Sequence, residues 1–171
     1  MEKLSNPQVT IEIIKKYNFA FQKRFGQNFL IDGHVVEKII NAAEITKDDT
    51  VLEIGPGIGT MTQYLAESAG KVYAVEIDKN LLPVLDETLG EYDNVTVINE
   101  DILKVDINAL LGEDAKNLKV VANLPTILQP LLSWDFLKPT SQPNPLRLWF
   151  KRKWHSVCRL NQVQRITVHF L

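Results

Sequence analysis

Three groups of residues in this chain have the types and spacing to do chemistry. They are the glycines of Gly55-Pro-Gly-Ile-Gly59, the carboxylates Glu76 and Asp101, and the stretch Asn123-Leu-Pro125. Alternating glycines leave the backbone bare, so a ligand can approach without a Cβ in the way. Their G-x-G-x-G spacing differs from the G-x-G-x-x-G of dinucleotide sites, where a pyrophosphate rests on a helix N-terminus. Glu76 stands 21 residues after Gly55 and follows the apolar run Val72–Val75. A carboxylate there can accept hydrogen bonds from both hydroxyls of an adenosine ribose. Asp101 can accept from an adenine amine, with Glu100 beside it as an equally acidic competitor. The side-chain carbonyl of Asn123, with a nearby backbone carbonyl, can accept the two N–H hydrogens of an exocyclic amine. That aims the nitrogen lone pair at a sulfonium methyl, so positioning supplies most of the catalysis and no strong base is needed. Each feature also has a plain structural use: glycine in a tight turn, a solvated acid at a strand end, asparagine in a turn before proline.

The elements that would position these groups are legible on either side of them. Asn6 and Pro7 read as an N-cap and a first helical residue, with Val9, Ile13 and Ile14 forming an apolar face that ends near Asn18. A turn-like stretch follows over 21–30. Asp32 reads as the cap of a second helix whose apolar side is Val35, Val36, Ile39, Ile40 and Ala43. Strands are expected at 50–54, 71–75, 95–99 and 118–122. Helices are expected at 60–69, 79–89 and 107–111, with Pro83 near the start of the second of these. This βαβαβαβ order with short connections predicts an α/β fold built on a doubly wound parallel sheet. The chemical groups then fall just after strands, at the carboxyl edge where such sheets bind ligands.

Composition excludes more than it identifies. At 171 residues and 45% apolar content, one globular domain with a real core is expected. No apolar run reaches the ~18–20 residues of a membrane span, and Met1-Glu-Lys-Leu-Ser5 lacks the layout of a signal peptide. The single cysteine, Cys158, excludes an internal disulfide and a cysteine zinc cluster, and His34, His155 and His169 lack metal-ligand spacing. A cytoplasmic, reduced setting without membrane or metal is the expectation. The charge is split along the chain. Residues 1–125 carry 12 Lys/Arg against 20 Asp/Glu, and residues 126–171 carry 7 against 1. All three tryptophans (Trp134, Trp149, Trp154) lie in the second segment, and no glycine follows Gly112.

Five ordered motifs carry a family resemblance. Phe25-Gly-Gln-Asn-Phe-Leu-Ile-Asp32, Glu53-Ile-Gly-Pro-Gly-Ile-Gly-Thr60, Glu76-Ile-Asp78, Glu100-Asp-Ile102 and Asn123-Leu-Pro125 together resemble the small-subunit ribosomal RNA adenine dimethyltransferases. The match covers roughly residues 10–125. The erythromycin-resistance methylases share the layout, but Glu-Ile-Gly-Pro-Gly and Asn-Leu-Pro are closer to the housekeeping branch. The resemblance implies a Rossmann-like, S-adenosylmethionine-dependent methyltransferase fold. It implies dimethylation of two adjacent adenosines in the 3′-terminal hairpin of small-subunit rRNA, on an immature small subunit, by a monomer. It further implies cofactor contacts from Gln27, Asn28, Leu30, Gly55, Gly57, Glu76, Ile77, Asp101, Ile102 and Asn123. Catalytic positioning would fall to Asn123, Leu124 and Pro125, and Lys23 and Arg24 would face RNA phosphate. Two other readings stand beside it. A nicotinamide-dependent oxidoreductase also uses glycines and a strand-end acid, but explains neither the 25–32 motif nor Asn123-Leu-Pro125. A non-catalytic RNA-binding module would work through the basic tail.

After Pro125 the motifs stop. The family continues with an aromatic, normally tyrosine, on which the flipped adenine stacks, and this chain has Thr126. Losing such a platform costs ~1–3 kcal/mol per stacked base. Pro130, Pro139, Pro143 and Pro145 break any long element, and Phe150–His155 mixes aromatics with cations without a clear period. Back-translating Thr126–Trp134 and restoring one T gives Tyr-Tyr-Ile-Thr-Thr-Pro-Ile-Ile-Met, the expected continuation. Leu148–His155 and Asn161–Leu171 give family-like text in the same shifted frame. Residues 126–171 therefore read as an out-of-frame tail, with the family's helical RNA-binding domain absent and the product expected to be inactive on RNA. Stopping after about the fourth strand would also leave 118–122 as an exposed apolar edge, open to aggregation.

Overall fold

The computed structural model describes residues 2–17, 32–115, 117–122 and the strand at 147–150. The N-terminal helix α1 spans Pro7–Lys16 and α2 spans Gly33–Ala42. Both start where a short polar side chain can stand in for the missing helical acceptor. Asn6 accepts from the Gln8 amide at 3.0 Å, and Asp32 accepts from the His34 amide at 3.0 Å. Strand β1 (Thr50–Ile54) leads through the glycine turn into α3 (Thr60–Ser68), which returns to β2 (Lys71–Glu76). Then follow α4 (Leu82–Leu89), β3 (Val95–Asn99), α5 (Ile107–Leu111) and β4 (Leu118–Ala122). The helix expected from residue 79 begins instead as a 3-10 turn, Lys79–Leu81, and becomes α-helical at Leu82. Pro83 is the reason: it has no N–H to donate and its ring crowds the carbonyl four residues earlier.

Every strand pairing is parallel, and the sheet order is β3-β2-β1-β4-β5. The last member corrects one expectation. Arg147–Phe150 forms β5 and pairs with β4 from Lys119 to Ala122, so β4 is not an edge. A fully buried strand presents unpaired N–H and C=O groups, and a four-residue run containing Leu, Trp and Phe has the propensity to take them up.

Side-chain alternation sorts the strands between two faces. Leu52 and Ile54 pack with Tyr73, Val75, Val120 and α5 residue Leu111 on one face. Val51 packs with Val72, Val121 and the buried sides of α2 and α3 on the other. A third cluster joins Leu4 and Ile13 to Ile58, Leu81, Val84 and Leu85, locking the N-terminal segment and α4 onto the glycine turn.

Candidate functional site

The sheet order reverses between β1 and β4, so connections leave these two neighbours in opposite directions and open a crevice at their carboxyl ends. The glycine turn follows β1 at that edge, and Asn123 follows β4 in the chain. Gly55, Gly57 and Gly59 have φ of 69°, 63° and 91°, in the left-handed region that penalises any residue with a Cβ. Gly55 extends the sheet, donating to the Val75 carbonyl at 2.9 Å. Gly59 has a second constraint, since a Cβ there would come within 3.0 Å of Thr88 Oγ1 and 3.1 Å of Leu89 on α4. The turn is also held from behind. Thr88 Oγ1 donates to the Ile58 carbonyl at 3.0 Å, Gln63 Nε2 donates to the Thr88 carbonyl at 3.2 Å, and the Leu4 amide donates to Gln63 Oε1 at 3.0 Å. Composition gives no hint of this buried relay, because Gln63 and Thr88 look like ordinary helix residues.

Glu76 closes β2 and is almost wholly buried. Its carboxylate accepts from the Gly57 amide at 3.2 Å and the Asp78 amide at 2.9 Å, which ties the glycine turn to the end of the next strand. Burial pushes its pKa up, and the backbone donors of Asp78 and Gly57 pull it partly back. Each carboxylate oxygen retains a lone pair, so the group can still accept from two ribose hydroxyls. The carbonyl of Glu76 is pinned as well, by Asn99 Nδ2 at 2.7 Å and the Glu100 amide at 3.1 Å. Those bonds bring the end of β3 alongside. There Asp101 uses one oxygen on the Leu103 amide at 3.0 Å, while Glu100 Oε1 accepts from the Asp101 amide at 2.9 Å. Ile77 is 61% exposed just past β2, an apolar surface beside the carboxylates, and Ile102 packs against the core from the end of β3. This donor set fits a nucleoside: acceptors for hydroxyls and an amine, an apolar wall, and bare backbone for the adjoining chain.

Sequence reasoning assigned no role to Glu53, although a carboxylate inside the apolar run Val51–Ile54 is itself a signal. Glu53 is fully buried, with neither carboxylate oxygen hydrogen-bonded. The hydroxyls of Thr60 and Thr62, at the start of α3, are likewise buried without partners. Burial pushes the Glu53 pKa up to about 8; Thr62 is close enough to draw it down somewhat without an aligned hydrogen bond, and Glu76 adds repulsion. Among the expected site residues, Gly55, Gly57, Glu76, Ile77, Asp101 and Ile102 share the carboxyl edge of β1–β3. Lys23, Arg24, Gln27, Asn28, Leu30, Asn123, Leu124 and Pro125 lie outside the described residues. No group of three or more His, Cys, Asp or Glu side chains that could hold a metal ion occurs among the described residues. Within that same set, no helix is long and apolar enough to cross a membrane.

The sequence profile of the ribosomal RNA adenine dimethylase family matches residues 18–155. The chain belongs to this family. The match runs past Pro125, farther along the chain than the five motifs reach. Among relatives in the dimethylase family, the ribosomal RNA small subunit methyltransferase A of Lachnoclostridium phytofermentans is 68% identical over 128 residues, covering 73% of this chain and 44% of that protein. Its counterpart from Alkaliphilus metalliredigens is 50% identical over 140 residues, covering 81% of this chain and 49% of the relative. The chain thus spans about half the length of the curated relatives it matches. Among solved structures, the 23S rRNA methyltransferase ErmE superposes with a TM-score of 0.56 at 33% identity, covering 66% of this chain and 44% of that one. The doubly wound fold is therefore that of the dimethylases and of Rossmann-like methyltransferases generally.

Proposed function

We propose that residues up to Pro125 are the greater part of a cofactor-binding domain for S-adenosylmethionine. In the intact protein that domain would dimethylate two adjacent adenosines near the 3′ end of small-subunit rRNA. The observation that carries the reading is the Glu76 carboxylate. It is anchored to the glycine turn by the Gly57 amide at the switch point, and it keeps two acceptor positions for a ribose. Asp101 would accept from the adenine amine, with Ile77 and Ile102 beside its ring. The cofactor supplies a methyl group on a sulfonium sulfur. Asn123, which follows β4 in the chain, and the backbone around Pro125 would accept the N–H hydrogens of the target amine and direct its lone pair at that methyl. The product amine loses its proton to solvent afterwards, so a strong base is not required. The setting would be cytoplasmic, the partner an immature small subunit, and the protein monomeric.

For this particular chain the proposal has a second half. Thr126 stands where the family carries the stacking aromatic, and residues 126–171 read as translation in a shifted frame. The chain should bind cofactor and fail to methylate RNA. Calorimetric titration with S-adenosylmethionine and with NADH tests the first half. Binding of the methyl donor alone is expected, with Glu76→Ala weakening it roughly tenfold or more. Binding of NADH alone would replace the reading with the oxidoreductase one. Incubating the chain with immature small subunits and radiolabelled methyl donor tests the second half, and label in adenosine would overturn it.

A further inference from the structure

Gln63 sits in surroundings that a place on a helix does not by itself require. It is fully buried in the first half of α3, and its side-chain amide is used at both ends. Oε1 accepts from the Leu4 amide at 3.0 Å, and Nε2 donates to the Thr88 carbonyl at 3.2 Å. A backbone N–H can only donate and a backbone carbonyl can only accept, so the partners fix which way the amide points. Glutamate in its place could make only the first bond, and methionine neither.

On one side of Gln63 stands the glycine turn. Thr88 Oγ1 donates to the Ile58 carbonyl at 3.0 Å, and the Gln63 backbone amide donates to the Gly59 carbonyl at 3.1 Å. Ile58, between two left-handed glycines, is buried against Leu81, Val84 and Leu85. On the other side stands the N-terminal segment, residues 2–17. The Leu4 carbonyl accepts from Thr10 Oγ1 at 2.5 Å, which ties the start of the segment to α1. Leu4 and Ile13 are buried in the same apolar cluster as Ile58. Ser5 and Tyr64 share a hydrogen bond between hydroxyls at 2.7 Å, and Lys3 Nζ lies 4.1 Å over the Tyr64 ring. At the far end of α1, Lys16 pairs with Glu87 of α4 at 2.7 Å, in a partly exposed position where such a pair adds little. The segment therefore crosses α3 and α4 as a strap behind the turn, and its buried polar attachment to them is the Leu4–Gln63 bond.

We propose that Gln63 is a positioning residue that couples the seating of this N-terminal strap to the form of the glycine turn. With the strap seated, Gln63 braces Thr88, Thr88 braces Ile58, and the Gly57 amide stays aimed at Glu76. With the strap lifted, Gln63 loses a partner in a place without water, the brace slackens, and the turn opens more readily. Strap and turn then share one opening equilibrium. By reciprocity, a ligand that orders the turn also seats the strap, with no contact to it. The S-adenosylmethionine reading supplies that ligand, whereas the coupling itself rests on the geometry of the free chain.

Amide hydrogen exchange of the 171-residue chain, resolved residue by residue, is the test. Thr10→Val keeps the shape of the side chain and removes its bond to the Leu4 carbonyl. It should raise exchange at the hydrogen-bonded amides of Gly57, Gly59 and Gln63 about two- to tenfold, the range that one ordinary hydrogen bond gives. Asn94→Ala is the control. It removes bonds donated to the Ala66 and Ala69 carbonyls at the other end of α3 and should leave the three amides unchanged. Unchanged exchange at the turn in Thr10→Val, or an equal rise in both variants, overturns the inference. In a Gln63→Met background Thr10→Val should add much less at the turn, because the link is already cut. An undiminished increment would place the coupling in the apolar contacts and overturn the role of Gln63. Where Gln63→Met does not fold, the wild-type chain decides: saturating S-adenosylmethionine should slow exchange at Leu4 and Thr10 as well as at the turn. Protection of the turn without the strap overturns the inference and leaves the cofactor reading standing. If S-adenosylmethionine does not bind, that reading falls, and the comparison of Thr10→Val with Asn94→Ala still decides for or against the strap.

Discussion

The two ends of this sheet are built to opposite standards. At the amino end of the strands the polar groups are matched. Asp49 Oδ2 receives the Thr46 amide at 2.7 Å, the Thr46 hydroxyl at 3.0 Å and Lys119 Nζ at 2.7 Å, and Lys119 also donates to the Glu44 carbonyl. Lys47 and Asn94 both donate to the carbonyls of Ala66 and Ala69 near the end of α3. At the carboxyl end, three glycines hold left-handed conformations, Ile77 faces solvent, and Glu53, Thr60 and Thr62 are buried without partners. Folding alone gives no reason for such a contrast within one sheet. A protein stores its unsatisfied groups where a ligand will meet them and closes the opposite end for stability.

Breaking the satisfied end should have the largest effect. Asp49→Ala removes the counter-ion of Lys119, whose side chain is 10% exposed, and leaves a buried cation held by the Glu44 carbonyl alone. A loss of about 3–5 kcal/mol in urea unfolding is expected, with little change in ligand affinity among the folded molecules. A loss below 1 kcal/mol would mean the two ends differ less than the contacts imply.

The unsatisfied end should respond to pH instead. Glu53 stays protonated in the fold up to about 8, whereas its ordinary value is 4.5. The folded chain therefore holds a proton that the unfolded chain sheds. Its contribution is fully present below pH 4.5 and is lost as pH rises through 8, at up to ~1.4 kcal/mol per unit between them. Glu53→Gln should remove that slope, so the variant gains on the wild type as the buffer is made more alkaline. Parallel pH–stability curves for the two chains would contradict the assignment.

Smaller effects sharpen the contrast at the turn itself. Gly57→Ala places a Cβ at φ 63° and should cost about 1–2 kcal/mol, with a larger proportional loss of cofactor affinity because the Gly57 amide holds Glu76. Thr88→Val removes the bond to the Ile58 carbonyl and should cost about 1 kcal/mol. Its affinity loss should exceed that of Lys71→Met, which breaks the partly exposed, solvent-screened pair with Asp114 and should leave stability nearly unchanged. Equal affinities in the Thr88 and Lys71 variants would show that the buried relay does not reach the site.

Much of this molecule was legible before any fold was seen. Strands at 50–54, 95–99 and 118–122 fall where the β-branched runs place them, and Asn6 and Asp32 cap the helices they introduce. Local chemistry decides such features, since a run of five β-branched or apolar residues and a capping side chain act over a single turn or strand. The glycine turn and the acids after β2 and β3 were legible for the same reason: the ligand edge of a doubly wound sheet is set by strand ends, and strand ends can be counted.

What the sequence withheld depends on distant partners. Whether the β4 edge is open or paired is decided by residues 147–150, separated from it by more than twenty positions, and no local pattern encodes that meeting. The Leu4–Gln63–Thr88–Ile58 relay joins four segments that are neighbours only once α1, α3 and α4 have packed. Glu53 is marked in sequence only by standing inside an apolar run, one acid among 21 Asp and Glu residues. Only the packed sheet, by excluding water and leaving its oxygens unpaired, makes it unlike the others. Short-range geometry and side-chain type determined the elements and the motif positions. Burial and long-range hydrogen bonding exist only in the tertiary structure, and they decided which of those residues carry unspent chemistry.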